Sequence, residues 1–149
     1  MAGALNHSPA DIIRHLLILA GFGSSPSGLN NWPIFVSNLP DLPDNVITIY
    51  DTQGDTGLRS FSSLIRDERY GISVQVRATD HKTGFLKAHA IAIAFDNNLG
   101  CEGITIDGTL YSIVTIIRKT NVIALGNEIP TSKRQMFSLN ALVDVGICV

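Results

Sequence analysis

The sequence predicts an α+β fold: a mixed, mostly antiparallel sheet of about six strands with two helices packed on it. Three observations lead there. Short β-branched and aromatic runs, such as Val46-Ile47-Thr48-Ile49-Tyr50, recur between turn residues. Two longer stretches instead space their apolar residues as a helix does. Asp107-Gly108 separates Ile104-Thr105-Ile106 from a run over Thr109 to Arg118, and Asp-Gly suits the positive φ angles of a tight hairpin turn.

The elements follow in chain order. Ser8-Pro9-Ala10-Asp11 supplies an N-cap, a proline at the first helical position and an acid at the third. Ile12, Ile13, Leu16, Leu17 and Ala20 then share one face, with Asp11, Arg14 and His15 on another, and Gly21 ends the helix. The apolar run Leu16 to Phe22, followed by Gly23-Ser24-Ser25, imitates the core and cleavage site of an export signal. It falls far short of the ~18 residues that span a bilayer. Asp11 also stands where a positive region is required, so the stretch reads as an amphipathic helix of a soluble domain.

Gly21 to Asn31 reads as a loop, Trp32 to Ser37 as a strand entered through Pro33, and Asn38 to Asn45, with Pro40 and Pro43, as a turn. Val46 to Tyr50 is a strand. Asp51 to Ser62 reads as a polar, glycine-bearing loop, of a length at which loops tend to carry function. Gly71 to Ala78 alternates as a half-buried strand does. In Thr79 to Asn97, Asp80 caps a helix whose apolar face is Phe85, Leu86, His89, Ala92 and Ile93. Thr83, Lys87, Ala90 and Ala94 form its small-residue face, suited to solvent or to close approach by another element. Ala90 to Ala94 also alternates with period two, but the alanines and the length favour helix. A short strand at Val122 to Leu125, a turn at Pro130 to Lys133 and a final strand over Arg134 to Val145 close the chain. No repeat or linker divides residues 1–149, which read as one domain.

Of the 149 residues, 45% are hydrophobic and 16% charged, against about 25% charged in an ordinary soluble domain. Such a chain buries a core, which excludes a disordered tail. A net charge of −2 excludes a strongly basic partner of nucleic acid. The shortage of charge points to surface hidden against other subunits. Residues 1–58 carry a net −4 and residues 59–149 a net +2, a split that suits a self-complementary surface. Cys101 and Cys148 form no metal or redox motif and read as small apolar residues in a reducing compartment.

The chain has no nucleophile elbow, P-loop, HExxH or dinucleotide fingerprint. His7, His15, His81 and His89 are not spaced to share a metal, and His89 reads as a core or interface histidine. One constellation has the residue types of a cation site: Asp51-Thr52-Gln53-Gly54-Asp55-Thr56-Gly57. Two carboxylates beside hydroxyls suit Ca²⁺ or Mg²⁺, which would make a small metal-dependent enzyme using Asp51 and Asp55. The spacing does not match an EF-hand loop, and a strand-ending turn bonded to itself accounts for the same residues. Arg66-Asp67-Glu68-Arg69 reads as a solvated charge cluster or an ion-pair strip between subunits. The basic pairs Arg118-Lys119 and Lys133-Arg134 lack the aromatic interleaving or basic helix of a DNA-binding site.

The run Pro43-Asp44-Asn45-Val46-Ile47-Thr48-Ile49-Tyr50-Asp51-Thr52-Gln53-Gly54 resembles a segment of the tail terminator (minor capsid) proteins of tailed bacteriophages. So do Val74-Gln75-Val76-Arg77-Ala78 before an alanine-rich helix, Tyr111 in a hairpin strand, Leu125-Gly126-Asn127-Glu128, Arg134, and Phe137-Ser138-Leu139-Asn140. The order of elements matches from about Ala10 to Val145. Glu128 replaces an expected aspartate, and the segment after Gly54 is longer than in the family.

The resemblance implies a structural protein of the virion neck, assembled in the host cytoplasm, with no enzymatic activity, metal or cofactor. It would form a hexameric ring that caps the head-proximal end of the tail tube and stops tube growth. Its partners would be the tail tube protein, the head–tail connector and genomic DNA passing through the lumen without sequence-specific binding; no membrane is implied. A head–tail adaptor or a tail-tube protein is the alternative within that virion. The residues expected to touch a neighbouring subunit or the tube are Asp51, Thr52, Gly54, Asp55 and Arg59, with the strip Arg66, Asp67, Glu68 and Arg69.

Overall fold

The computed structural model describes residues 5–26, 32–59, 66–97, 103–127 and 133–147. Cys101, Cys148, Glu128 and residues 60–62 lie outside them. Helix α1 spans Pro9–Leu19. Its start is the one the sequence predicts: Ser8 is extended, its hydroxyl oxygen accepts from the Asp11 N–H, and Pro9 fills the first turn. Arg14 donates to the Asp11 carboxylate at 2.7 Å on the outer side, while Ile12, Ile13, Leu16 and Leu17 are buried.

The strands are β1 (Ile34–Val36), β2 (Val46–Arg59), β3 (Arg66–Ala78), β4 (Gly103–Ile106), β5 (Thr109–Arg118), β6 (Ile123–Asn127) and β7 (Gln135–Ile147), with helix α2 (His81–Asp96) between β3 and β4. They form one sheet in the order β1-β2-β3-β7-β5-β4, with β6 also paired to β7. Only β1 and β2 run parallel. The fold is α+β, as the residue pattern predicts. The hairpin turn between β4 and β5 is also as expected, with φ of 48° at Asp107 and 82° at Gly108.

Strand β7 organises the sheet. Tyr70 to Ala78 pair along one of its edges. Along the other, Tyr111 to Arg118 pair first, and Ile123 to Asn127 rejoin it further on. Between them the chain kinks, held where Lys119 N–H donates to the Asn140 carbonyl and Asn140 N–H donates to the Thr120 hydroxyl. Alternation then sends Ile47, Ile49, Ile72, Val74, Val76, Phe137 and Leu139 into one cluster with α1 and α2. Helix α1 touches β1 and β2 and also β4, at the far end of the strand order, so the sheet curls around it.

Helix α2 does not bury the face its hydropathy predicts. Gly84, Ala88, Ile91, Ala92 and Phe95 face the sheet, while Phe85, Leu86, His89 and Ile93 face outward. The reason is room. A Cβ at Gly84 would collide with the Phe137 ring, so small residues let the helix axis come close over β7. Ala replaces Gly favourably in most helices, by about 1 kcal/mol. Here Gly84→Ala is expected to destabilise by about 1–3 kcal/mol instead, because the fully buried Phe137 cannot yield. Urea unfolding of the two proteins measures the sign.

Asp80 caps α2 by accepting from the Thr83 N–H at 3.1 Å, and its bonds to Thr83 hold its carboxyl below the usual range. Of the small-residue face, Thr83 and Ala90 are exposed, and Lys87 and Ala94 half-buried. Lys87 lays its ammonium over the rings of Phe22 and Trp32, at 5.6 and 5.3 Å, and burial pushes its pKa down. Among the described residues, the opposite face of the sheet carries no helix. Its central positions are small and polar: Thr48, Ser73, Gln75, Ser138 and Asn140. One corner is roofed by residues 38–45, where Thr48 donates to the Asn38 carbonyl and the fully buried Arg77 reaches three carbonyls.

Candidate functional site

The segment expected as a loop from Asp51 onward is strand. β2 continues without a break to Arg59, and β3 begins at Arg66. The two expected contact segments therefore meet. Asp51 opposes Ile72 and Thr52 opposes Gly71; beyond a bulge, Asp55 opposes Arg69, Thr56 opposes Glu68 and Arg59 opposes Arg66. Asp67 lies between these last pairs on β3. The polar residues and glycines argue for a loop when the segment is read alone. The ladder to β3 overrides them by satisfying the backbone on one side of each strand.

This pair of strands forms an arm. β3 is paired with β7 only from Tyr70 onward, so among the described residues its positions 66–69 pair with β2 alone. The sequence of this ribbon lacks the hydrophobic alternation of a strand that covers a core. At the root of the arm the strands approach so closely that glycine is required on both. A Cβ on Gly54 would strike the Arg69 carbonyl, and one on Gly71 would strike the Gln53 carbonyl. The bulge between Thr52 and Asp55 lies at this same crossing.

Asp51 has a partner that no sequence signal announced. Its carboxylate accepts from the Ala10 N–H at 2.9 Å, so a strand residue caps the first turn of α1. Asp55 lies four strand residues further on, on the order of 13 Å away at ~3.3 Å per residue, less what the bulge takes up. Ligands of one Ca²⁺, at 2.3–2.6 Å each, span only about 5 Å. Asp51 and Asp55 therefore do not converge on one ion. Among the described residues no group of three or more His, Cys, Asp or Glu is placed to hold a metal. Asp51→Ala is expected to cost about 1 kcal/mol through the lost cap, with Asp51→Asn costing less. Chemical denaturation of the pair measures both.

Two arginines build a second feature around residues 38–45, where the prolines alone predict a turn. Arg77 donates to the carbonyls of Asp41, Pro43 and Asp44 at 3.2, 2.6 and 3.1 Å. Arg134 donates to the Asp41 carboxylate at 3.1 Å and lies 3.6 Å from that of Asp44. Arg77 occupies a polar phase of the β3 alternation, so nothing in its neighbours distinguishes it from an exposed strand arginine. His7 is likewise recruited: Nδ1 lies 2.6 Å from the buried Tyr111 hydroxyl and Nε2 3.2 Å from Asp107, which pins the segment before α1 to the β4–β5 hairpin.

No helix among the described residues is long and apolar enough to cross a membrane. No family model and no curated protein matches the chain. Among solved structures it is similar to a chain of the virion of a native gene transfer agent (GTA) particle, at 14% identity, over 88% of this chain and 84% of that one, with a TM-score of 0.45. A similarity of that degree assigns no family.

Proposed function

We propose that this chain is a structural protein of a phage-type virion: a tail terminator that closes as a six-membered ring on the head-proximal end of the tail tube. Two bare edges of the sheet carry this reading. Beyond Ile49, β2 has no partner on its outer side among the described residues, because β1 pairs only with Ile47 to Ile49. At the other end β4 covers only Thr109 to Ser112, so the outer edge from Ile113 through β6 is also unpaired among the described residues. Exposed edges recruit strands, and a lone monomer ordinarily blunts them. Two edges at opposite ends of one sheet make a head-to-tail contact that a rotation closes into a ring.

The ordered resemblance from Ala10 to Val145, the low charge content and the arm support the same assignment. In it, residues 1–149 act as one domain. Asp51, Thr52, Gly54, Asp55, Arg59, Arg66, Asp67, Glu68 and Arg69 meet the neighbouring subunit or the tube. The ring stops tube growth, offers its other face to the head connector, and lets genomic DNA through. Hydroxyls and amides on the helix-free face, rather than rows of cations, suit passage of a polyanion without capture. The protein needs no cofactor and performs no catalysis.

Native mass measurement and negative-stain imaging, of the protein alone and mixed with tail tubes, test this. Six-fold rings, or particles on one end of each tube, are the expected result. Long tubes formed by the protein alone would make it a tube subunit. A strict monomer without affinity for tube ends would overturn the assignment. A Ca²⁺- or Mg²⁺-dependent rise in melting temperature, abolished by Asp51→Ala, would return the metal-enzyme reading.

A further inference from the structure

We infer that the outer face of α2 on one copy of this chain receives the tip of residues 38–45 from a second copy, with Leu42 as the apolar anchor. This rests on the ring reading above and names surfaces that the arm does not include.

The tip is rigid and its leucine is uncovered. Leu42 is 73% exposed, the most exposed large hydrophobic side chain among the described residues. Its neighbours are tied down: Arg77 holds the carbonyls of Asp41, Pro43 and Asp44, and Arg134 holds the carboxylate of Asp41. A leucine displayed on a fastened loop loses little further freedom when it docks. The carboxylates beside it point outward, with the Asp41 side chain 91% exposed even while paired to Arg134.

The outer face of α2 is equally well ordered. The rings of His81, Phe85 and His89 lie nearly parallel, at interplanar angles of 2° and 10° and centroid separations of 6.4 and 5.5 Å. Phe137 meets the first two edge-on from below, at 5.2 and 6.4 Å. Leu86 stands beside this floor, 54% exposed. Three parallel rings, the first two held from beneath by Phe137, present an ordered aromatic surface before any partner arrives.

Charge and topology select a second copy as the occupant. From His81 to Phe95 the helix carries two lysines and two histidines and no acid. The acids lie only at its ends: Asp80, the N-cap, turned to the Thr83 N–H, and Asp96, which Arg118 holds through bonds of 3.1 and 2.8 Å. An apolar tip flanked by two carboxylates complements a face of apolar rings flanked by Lys82 and imidazole N–H groups. The net −4 of residues 1–58 against the net +2 of the remainder has the same sense. Arg77 and Thr48 place the tip over the helix-free side of the sheet, whereas α2 lies on the other side. Tip and floor are therefore different patches of the chain. Being different patches, they make the heterologous contact that a ring requires.

The test uses the full chain with Leu42→Asp and with Leu86→Asp, each followed by native mass spectrometry over a concentration series. Both positions are exposed, so circular dichroism and melting temperature should match the parent; Leu42→Ser and Leu86→Ser replace them if either variant unfolds. Each variant alone should need at least tenfold more protein to assemble. A one-to-one mixture should stop at dimers, since the Leu42→Asp copy keeps its floor and the Leu86→Asp copy keeps its tip. Assembly of both variants at the parent concentration would overturn this contact and leave the ring intact. Loss of assembly in both variants without dimers in the mixture would overturn the direct pairing. A parent chain that assembles neither alone nor on tubes would overturn the ring and this contact together.

Discussion

Arg77→Ala is expected to destabilise the protein by about 3–5 kcal/mol, from buried carbonyls left without a donor, at about 1–3 kcal/mol each, together with the cavity a large truncation leaves. The side chain is fully buried and donates to the carbonyls of Asp41, Pro43 and Asp44. Removing it leaves those acceptors to find water in a corner closed by Val46 and Met136, which oppose Arg77 on the two neighbouring strands. It also opens a cavity the size of an arginine. Arg77→Lys keeps the charge but offers one compact donor head where a planar fork serves three acceptors, so it should recover only part of the loss. Urea unfolding gives both values. A loss under about 1 kcal/mol for Arg77→Ala would mean that water readily replaces the guanidinium. Since the same bonds hold the Leu42 tip, Arg77→Lys should weaken assembly more than it weakens the fold.

Gly71→Ala is expected to be nearly as damaging, about 2–3 kcal/mol by the mechanism of overpacking. The added methyl would run into the Gln53 carbonyl and come within 2.6 Å of the Thr52 hydroxyl. Both belong to the facing strand, whose backbone cannot rotate away as a side-chain tip can. Relief requires β2 and β3 to part at the root of the arm, so the variant should lose ordered pairing from Asp55 to Arg69 and, with it, binding to tube ends. Gly146→Ala is the control: nothing lies within 4 Å of its added Cβ, and it should be neutral within about 0.5 kcal/mol. Thermal melting compares the pair, and amide exchange on the arm shows whether the damage is local. Equal stabilities for the two variants would mean that the crossing is loose.

Helix α1, the β4–β5 hairpin and the α+β class were all legible in the residue order, because each depends on local chemistry. A serine accepts from an amide three residues on, a proline fits a first turn, and Asp-Gly adopts positive φ wherever it stands. The candidate segments were legible as polar and contact-prone, but not as one object. That Asp51–Arg59 and Arg66–Arg69 share an arm depends on a ladder between distant residues, and its polar faces give no periodic signal.

Three features were set by tertiary structure alone. Hydropathy assigned Phe85, Leu86, His89 and Ile93 to the core side of α2, yet the Phe137 ring beneath Gly84 admits only small side chains there and turns the larger ones outward. Asp51 looks like a ligand in sequence, but the fold brings α1's first turn to it and makes it a cap. Arg77 looks like any strand arginine until residues 38–45 fold over it. In each case the deciding partner lies more than 30 residues away in the chain. By itself the sequence determined which segments form elements and which of their turns are tight. Only the packed sheet decided which face each element hides and which side chains it leaves for another copy, because close packing ranks side chains by the volume their neighbours leave, not by their hydropathy.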